Sequence, residues 1–227
     1  MQHLNDYARI VNNYRNLTRT ERFIIWTRFN IIPIKEIISE VSSRGKLLDL
    51  GCGFGALSYL FAFMHPRLIV SGVDPSYQRI ERAKNVHAIP NNLNFIHGQI
   101  DEIDEYDFDT IILIDVLYLM TEEQQISILR KCRERISSDG RLVIKTMNKR
   151  HHYRYKLTVF TSLLIKMVKS LFSSDKILGV RENYSGYHNE DEFTRILARS
   201  GWKIVGVHDL PLKYFIYPNI IYTCKIQ

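Results

Sequence analysis

Three glycines and two acids carry the clearest chemistry in the chain. The run Leu47-Leu48-Asp49-Leu50 is followed by Gly51-Cys52-Gly53-Phe54-Gly55 and then by the apolar stretch Ala56 to Met64. A strand that turns through glycines into a helix offers a ligand the helix N-terminus, and the glycines let it approach the backbone closely. The next aliphatic run, Leu68 to Val73, ends in Asp74-Pro75. An acid at this spacing, about 20 residues beyond the glycines, can accept hydrogen bonds from both ribose hydroxyls of an adenosine. Gly51, Gly53 and Ala56 also satisfy the G-x-G-x-x-A dinucleotide fingerprint, so these residues alone fit a nicotinamide cofactor as well.

Taken together, the motifs make the chain resemble the class I S-adenosylmethionine-dependent methyltransferases. "LLDLGCGFG", with Asp49 two residues before the first glycine, is similar to that family's first motif, and "GVDPS" to its second. The resemblance implies S-adenosylmethionine as cofactor, held along the loop by Asp49, Gly51, Cys52, Gly53 and Gly55 and at the ribose by Asp74 and Pro75. The third motif is Gly-acid-small in the family and Gly98-Gln99-Ile100 here. The amide oxygen of Gln99 can still accept a hydrogen bond from the adenine amine. "DTIILIDVLYLM" resembles the fourth motif and implies that Asp115 and Val116 face the methionine moiety; "SSDGRLVIKT" resembles the fifth. The likeness spans roughly residues 45–146, and "SGYHNEDEFTRILARSGWKIVGV" resembles the family's last helix and strand. Methyl transfer from a sulfonium asks the protein for position and environment. It needs no metal, and no cluster of ligands in the sequence suggests one.

On the acceptor side, the catalytic candidates are Tyr118, His151, His152 and His188, none of which stands out as a base. Trp26, Tyr118, Tyr153, Tyr184 and Tyr187 are candidates for contact with the acceptor. Nucleobase amino-methyltransferases carry Asn/Asp-Pro-Pro-Tyr after the fourth strand, whereas Asp115-Val116-Leu117-Tyr118 lacks both prolines. Ribose-methylating RNA enzymes use a Lys-Asp-Lys-Glu set. Asp115 and Lys145 could stand for its middle members, but Lys203 to His208 holds no glutamate. A nucleic-acid partner is therefore disfavoured, and a small-molecule or lipid-like acceptor is expected. An RNA methyltransferase, a nicotinamide-dependent reductase and a non-catalytic adenosyl-binding scaffold are the alternatives. The reductase is disfavoured because the glycine motif begins only at Gly51, behind a helical cap, and because the chain reads as ending in an antiparallel hairpin.

The elements that position these residues alternate. Leu47–Leu50, Leu68–Val73, Leu93–Ile96, Thr110–Ile114 and Leu142–Ile144 read as strands; Ala56–Met64, Ser76–Asn85 and Glu122–Ile136 read as helices, with Asp139-Gly140 as a turn before the fifth strand. Such alternation predicts a parallel sheet with helices on both faces. Residues 3–43 read as two or three helices with Phe23, Trp26, Ile34, Ile37, Ile38 and Val41 as apolar positions and a break at Pro33. Glu190–Ser200 is a helix stopped by Gly201, and Lys203–His208 and Ile220–Ile226 are strands. The loop between them, bracketed by Pro211 and Pro218, is too short for a parallel crossover, so these two strands pair antiparallel. The expectation is an α/β, Rossmann-like, seven-stranded, mostly parallel sheet with an antiparallel C-terminal strand. It forms one domain over 1–227: a helical cap 1–44, a cofactor-binding core 45–146, a helical insertion or lid 147–188, and a last helix and hairpin 189–227.

Composition agrees with an ordinary globular domain, with 45% hydrophobic and 24% charged residues. The net charge of +7 is uneven. Arg141 to Lys176 holds nine basic residues and one acid, which leaves 22 basic and 23 acidic residues elsewhere. Within that segment Leu157, Phe160, Leu164, Met167, Val168 and Leu171 form an apolar stripe with Lys166 and Lys169 largely opposite. This is a basic amphipathic helix, too short to span a bilayer, that suits a lid or a peripheral contact with anionic membrane. Cys52, Cys132 and Cys224 are scattered, with no CxxC pair, which suits a reducing compartment. Residues 1–10 hold no apolar signal core, and no run of about 20 apolar residues exists. The expected location is cytoplasmic, with membrane-peripheral contact as an option.

Overall fold

A computed structural model describes residues 10, 12–15, 17–147, 188–209 and 219–227. The aliphatic runs become strands buried on both faces, as central parallel strands must be. These are β1 (Arg44–Leu50), β2 (Arg67–Asp74), β4 (Phe108–Ile114) and β5 (Ile136–Met147), with the shorter β3 (Leu93–His97) at one edge. β6 (Trp202–Asp209) and β7 (Asn219–Ile226) complete a seven-stranded sheet in the order β3-β2-β1-β4-β5-β7-β6. β1 to β5 run parallel, and β7 lies antiparallel to both β5 and β6. The mostly parallel Rossmann-like sheet with an antiparallel C-terminal strand is thus the observed fold.

Among the described residues six helices cover it: α1 (Arg19–Ile31), α2 (Ile34–Glu40), α3 (Ala56–Met64), α4 (Tyr77–Lys84), α5 (Glu122–Arg135) and α6 (Glu190–Arg199). One core joins Leu47, Val70, Ile112 and Val143 to Ile25, Ile37, Phe61 and Ile80, so α1 to α4 share a face. The other joins Leu48, Ile111, Leu113 and Ile144 to Leu129, Phe193 and Trp202, placing α5 and α6 on the opposite face. Helix starts follow the side chains that can satisfy free N–H groups. Ser76 accepts from the Arg79 amide, and Thr121 with Gln124 and Asn189 with Glu192 form capping boxes. Pro33 sits between α1 and α2 as the spacing predicted.

Two expectations are corrected. The buried face of α1 is not the one carrying Phe23 and Trp26. Those rings stack on each other with centroids 5.9 Å apart, and they remain 52% and 46% exposed. Glu21 and Ile25 turn inward instead. A buried glutamate is tolerated because the Thr18 amide and Arg82 Nε, at 2.7 and 3.2 Å, satisfy its oxygens. Asp139-Gly140 is not a turn between elements either. Phe108 pairs with Ile136 and Thr110 with Arg141, so residues 137–140 form a bulge inside a longer β5. The polar run Ser137-Ser138-Asp139 hid that strand extension in the sequence.

The insertion 147–188, apart from its end residues Met147 and His188, lies outside the described residues, and so do His151, His152, Tyr153, Tyr184, Tyr187, Pro211 and Pro218. Among the described residues, no helix is long and apolar enough to cross a membrane, and no group of His, Cys, Asp or Glu is placed to hold a metal.

Burial also fixes an alkaline limit to stability. Desolvation pushes the thiols of Cys132 and Cys224 up to about 12, and raises the hydroxyls of Tyr14 and Tyr222 above their usual 10.0. These groups stay protonated in the folded chain where the unfolded chain already ionises. Their contribution is whole below pH 9, the ordinary thiol value, and is lost as pH rises toward 12, at up to about 1.4 kcal/mol per pH unit for each group. Melting temperature followed by circular dichroism should hold level to about pH 9 and fall steadily above it. A level profile to about pH 11 would contradict the burial of these groups.

Candidate functional site

The site is built at the carboxyl edge of the sheet. Beyond β1 the amides of Gly51 and Cys52 donate to the Val73 carbonyl at 2.7 and 3.0 Å, laying the glycine loop across the end of β2. Gly51, Gly53 and Gly55 all take left-handed φ, at +82°, +58° and +73°. A Cβ on Gly51 would come within 2.5 Å of Val116 Cγ2, so the loop rests directly on the turn after β4. Cys52 is buried within the loop, and Gly55 is the residue that starts α3.

Both acids sit where the sequence put them, and both are engaged. Asp74 is 2% exposed; its Oδ2 accepts from the Gly53 amide and its Oδ1 from the Ser76 amide, each at 2.9 Å. Arg79 approaches the same carboxylate at 3.8 Å. Asp49 is equally buried and accepts a 2.6 Å hydrogen bond from Ser58 Oγ. Each carboxylate oxygen has two lone pairs, so these contacts leave capacity for a ligand hydroxyl at Asp74.

Pro75, Gln99 and Ile100 gather beside Asp74. The Gly98 amide donates to the Asp74 carbonyl at 3.1 Å, and His97 Nε2 lies 3.2 Å from the Pro75 carbonyl. Gln99 is exposed while Ile100 is buried beneath it. Tyr77, 60% exposed, meets the His97 ring edge-on at 5.5 Å. Tyr77, His97 and Arg79 were not singled out in the sequence; their only signal was position next to the second and third motifs.

At the end of β4, Asp115 adopts φ +60° and Val116 follows it. Lys145 Nζ donates to Asp115 Oδ1 at 2.6 Å, and the Asp115 amide donates to the Lys145 carbonyl at 3.1 Å. Tyr118 lies half-buried on the short turn Leu117–Leu119. Buried Gln125 holds that turn, its Nε2 donating to the carbonyls of Leu117 and Met120 at 2.9 and 3.3 Å. The amide oxygen of Gln125 must then be the atom facing His188 Nε2 at 3.1 Å, so that nitrogen carries the proton. His188 also stacks on Phe193, which makes it a brace for the Tyr118 turn.

The N-terminal helices close the loop from one side. Tyr14 donates its hydroxyl to the Phe54 carbonyl at 2.6 Å, and Asn13 Nδ2 bonds Tyr59 and Ala88 at 2.7 and 3.0 Å. Ile25, Phe29 and Ile32 face Asp49, Gly51, Cys52 and Ile114 across a cavity of about 30 Å³. Trp26 is on the outward side of α1.

Comparison with known proteins follows the same lines. A family model described as a methyltransferase domain matches residues 42–201. The ubiquinone biosynthesis O-methyltransferase of Glaesserella parasuis serovar 5 (strain SH0165) is 28% identical over 198 residues, covering 79% of this chain and 75% of its own length. The demethylmenaquinone methyltransferase of Thermotoga maritima is 28% identical over 174 residues, covering 74% of this chain and 73% of its own. A solved magnesium protoporphyrin IX methyltransferase from Synechocystis PCC 6803, with bound SAH, shares the fold at a TM-score of 0.62 and 21% identity, over 98% of this chain and 94% of that one.

Proposed function

Because the chain belongs to the methyltransferase-domain family and is a class I S-adenosylmethionine-dependent methyltransferase, we propose that its acceptor is a small, lipid-like molecule carrying an aromatic or quinonoid ring. The cofactor, S-adenosylmethionine, supplies a methyl group activated on a sulfonium. We assign its ribose to Asp74 and Pro75, its adenine to Gln99 and Ile100, and its methionine end to Asp49, Gly51, Cys52, Gly53, Gly55, Asp115 and Val116. These residues suit it: the left-handed glycines keep side chains off the loop, and Asp74 stands at the strand end with the exposed Tyr77 and His97 beside it.

One observation carries the choice of acceptor. The roof over the loop is apolar, made of Ile25 and Phe29 from α1 and Ile32 just beyond it, facing Ile114. Such a surface favours an apolar group over a charged one and excludes water from the transfer. It gives little to a polyanion, whose affinity rests on phosphate contacts. The relatives named for ubiquinone and menaquinone agree with this choice.

Calorimetry is expected to show micromolar-range binding of S-adenosylhomocysteine, about −8 kcal/mol, and no heat with NADH. The converse would remove the methyltransferase reading. Radiolabelled methyl groups should pass into organic-extractable product when a reduced, prenylated hydroxyquinone is offered. Label entering only RNA would overturn the acceptor assignment.

A further inference from the structure

We propose that Lys145 and Asp115 form the seat of the acceptor's reacting oxygen, and that this oxygen belongs to an acidic aromatic or enolic hydroxyl bound as its anion. The inference rests on the methyltransferase reading and narrows its acceptor. Ile114 and Lys145 are register partners on neighbouring parallel strands, so their side chains leave the sheet on one face. Ile114 lines the cavity under α1. Lys145 therefore leaves the sheet on the same face, one strand over from Ile114, although it does not itself line that cavity. Val116, next to Asp115, packs on Gly51, which places the pair beside the glycine loop.

The pair is fixed and incompletely used. Asp115 holds a left-handed backbone, uncommon outside glycine though better tolerated by aspartate than by most residues. It is kept there by its amide bond to the Lys145 carbonyl and by the 2.6 Å ion pair. The Lys145 side chain is only 2% exposed. An ammonium has three donors, and among the described residues Asp115 Oδ1 is the acceptor for one. A buried cation whose other donors meet no acceptor among the described residues has room for an anionic oxygen.

A nearby ammonium favours the ionised form of a hydroxyl. Among the described residues, the other acids on this face are Asp49 of β1, bonded to Ser58 and two strand spacings, about 10 Å, from β5, and Glu36 and Glu40 of α2; Glu40 pairs with Arg141 and His208, while a buried oxygen of Glu36 has no hydrogen-bond partner. Glu21 of the cap is neutralised by Arg82. The O–H bond is broken when the hydroxyl gives its proton to solvent, and the resulting anion is then seated without further bond change. A neutral amine acceptor would gain nothing from this ammonium, and a carbon acceptor would gain only by reacting through its phenolate or enolate.

The test uses 4-nitrophenol as probe, with saturating S-adenosylhomocysteine and phenolate absorbance as the readout. The wild type should bind the probe and lower its pKa by about one pH unit or more, near tenfold more phenolate at fixed pH. Lys145→Gln should return the pKa to the free value. The double variant Lys145→Gln with Asp115→Asn, which leaves no lone charge, should do the same with normal circular dichroism. An unshifted pKa or no probe binding in wild type that still binds S-adenosylhomocysteine overturns the assignment and leaves the methyltransferase intact. So does a shift that survives in either folded variant. Loss of S-adenosylhomocysteine binding by the wild type would instead remove the underlying function.

Discussion

Asp74→Ala is expected to weaken S-adenosylhomocysteine binding by about tenfold to a hundredfold, corresponding to the ~1.5–3 kcal/mol typical of hydrogen bonds to a charged group. Asp74 would act twice. Its carboxylate is assigned to the ribose, and it also accepts the Gly53 and Ser76 amides, which hold the glycine loop and the start of α4 in place. Asparagine is expected to rescue little. One of its two terminal atoms is a donor, and both Asp74 oxygens face amide N–H groups. Calorimetry on the three proteins decides the matter. Equal affinity across them would show that the ribose lies elsewhere.

Gly55→Ala should lower the melting temperature by roughly 5–15 °C. Gly55 has φ +73°, which costs an L-residue about 1–2 kcal/mol. Its new Cβ would also press into the Phe95 ring and stand 3.1 Å from Ala83 Cβ. Phe95 cannot easily turn aside, because the same ring lies 2.8 Å from where a Cβ on Gly72 would be. Overpacking of this kind costs about 1–3 kcal/mol. In a domain of this size each kcal/mol moves the melting point by about 2–4 °C. Shrinking the ring in the same protein, with Phe95→Leu, should restore part of the loss relative to the two single changes. A melting point within about 2 °C of wild type would contradict the tight packing of the loop on β3.

The sheet from β1 to β4 was legible because its signals are local. Leu47 to Leu50 and Thr110 to Ile114 are aliphatic runs, the first broken only by Asp49 and the second opened by Thr110, and Ser76 is a helix cap that needs no distant partner. The antiparallel pairing of β6 with β7 followed from the shortness of the loop. What failed depended on partners far away in the chain. The inward turn of Glu21 needs Arg82, 61 residues on. The extra length of β5 needs Phe108 as its neighbour. Among the site residues, the glycine loop and Asp74 were readable by spacing. In the sequence Asp115 and Lys145 stand only as two members of a Lys-Asp-Lys-Glu set, set aside for want of the glutamate; their direct ion pair, across 30 residues, follows from the β4–β5 register. Its one local signal was a lysine inside the aliphatic run Leu142-Val143-Ile144.

β7 lies between β5 and β6, although both of those strands are made before it. On the ribosome the glycine loop can be laid over β2 early, while β6 emerges with no strand beside it. Until residues 219–226 are available, β5 and β6 each present an open edge, and Leu142 and Ile144 lack the cover of Tyr222 and Cys224. Open apolar edges recruit other chains. Synthesis of this protein therefore passes through a vulnerable interval set by its strand order, and a chaperone that shields nascent chains would matter most in that interval, after the cofactor loop has formed and before the sheet is complete.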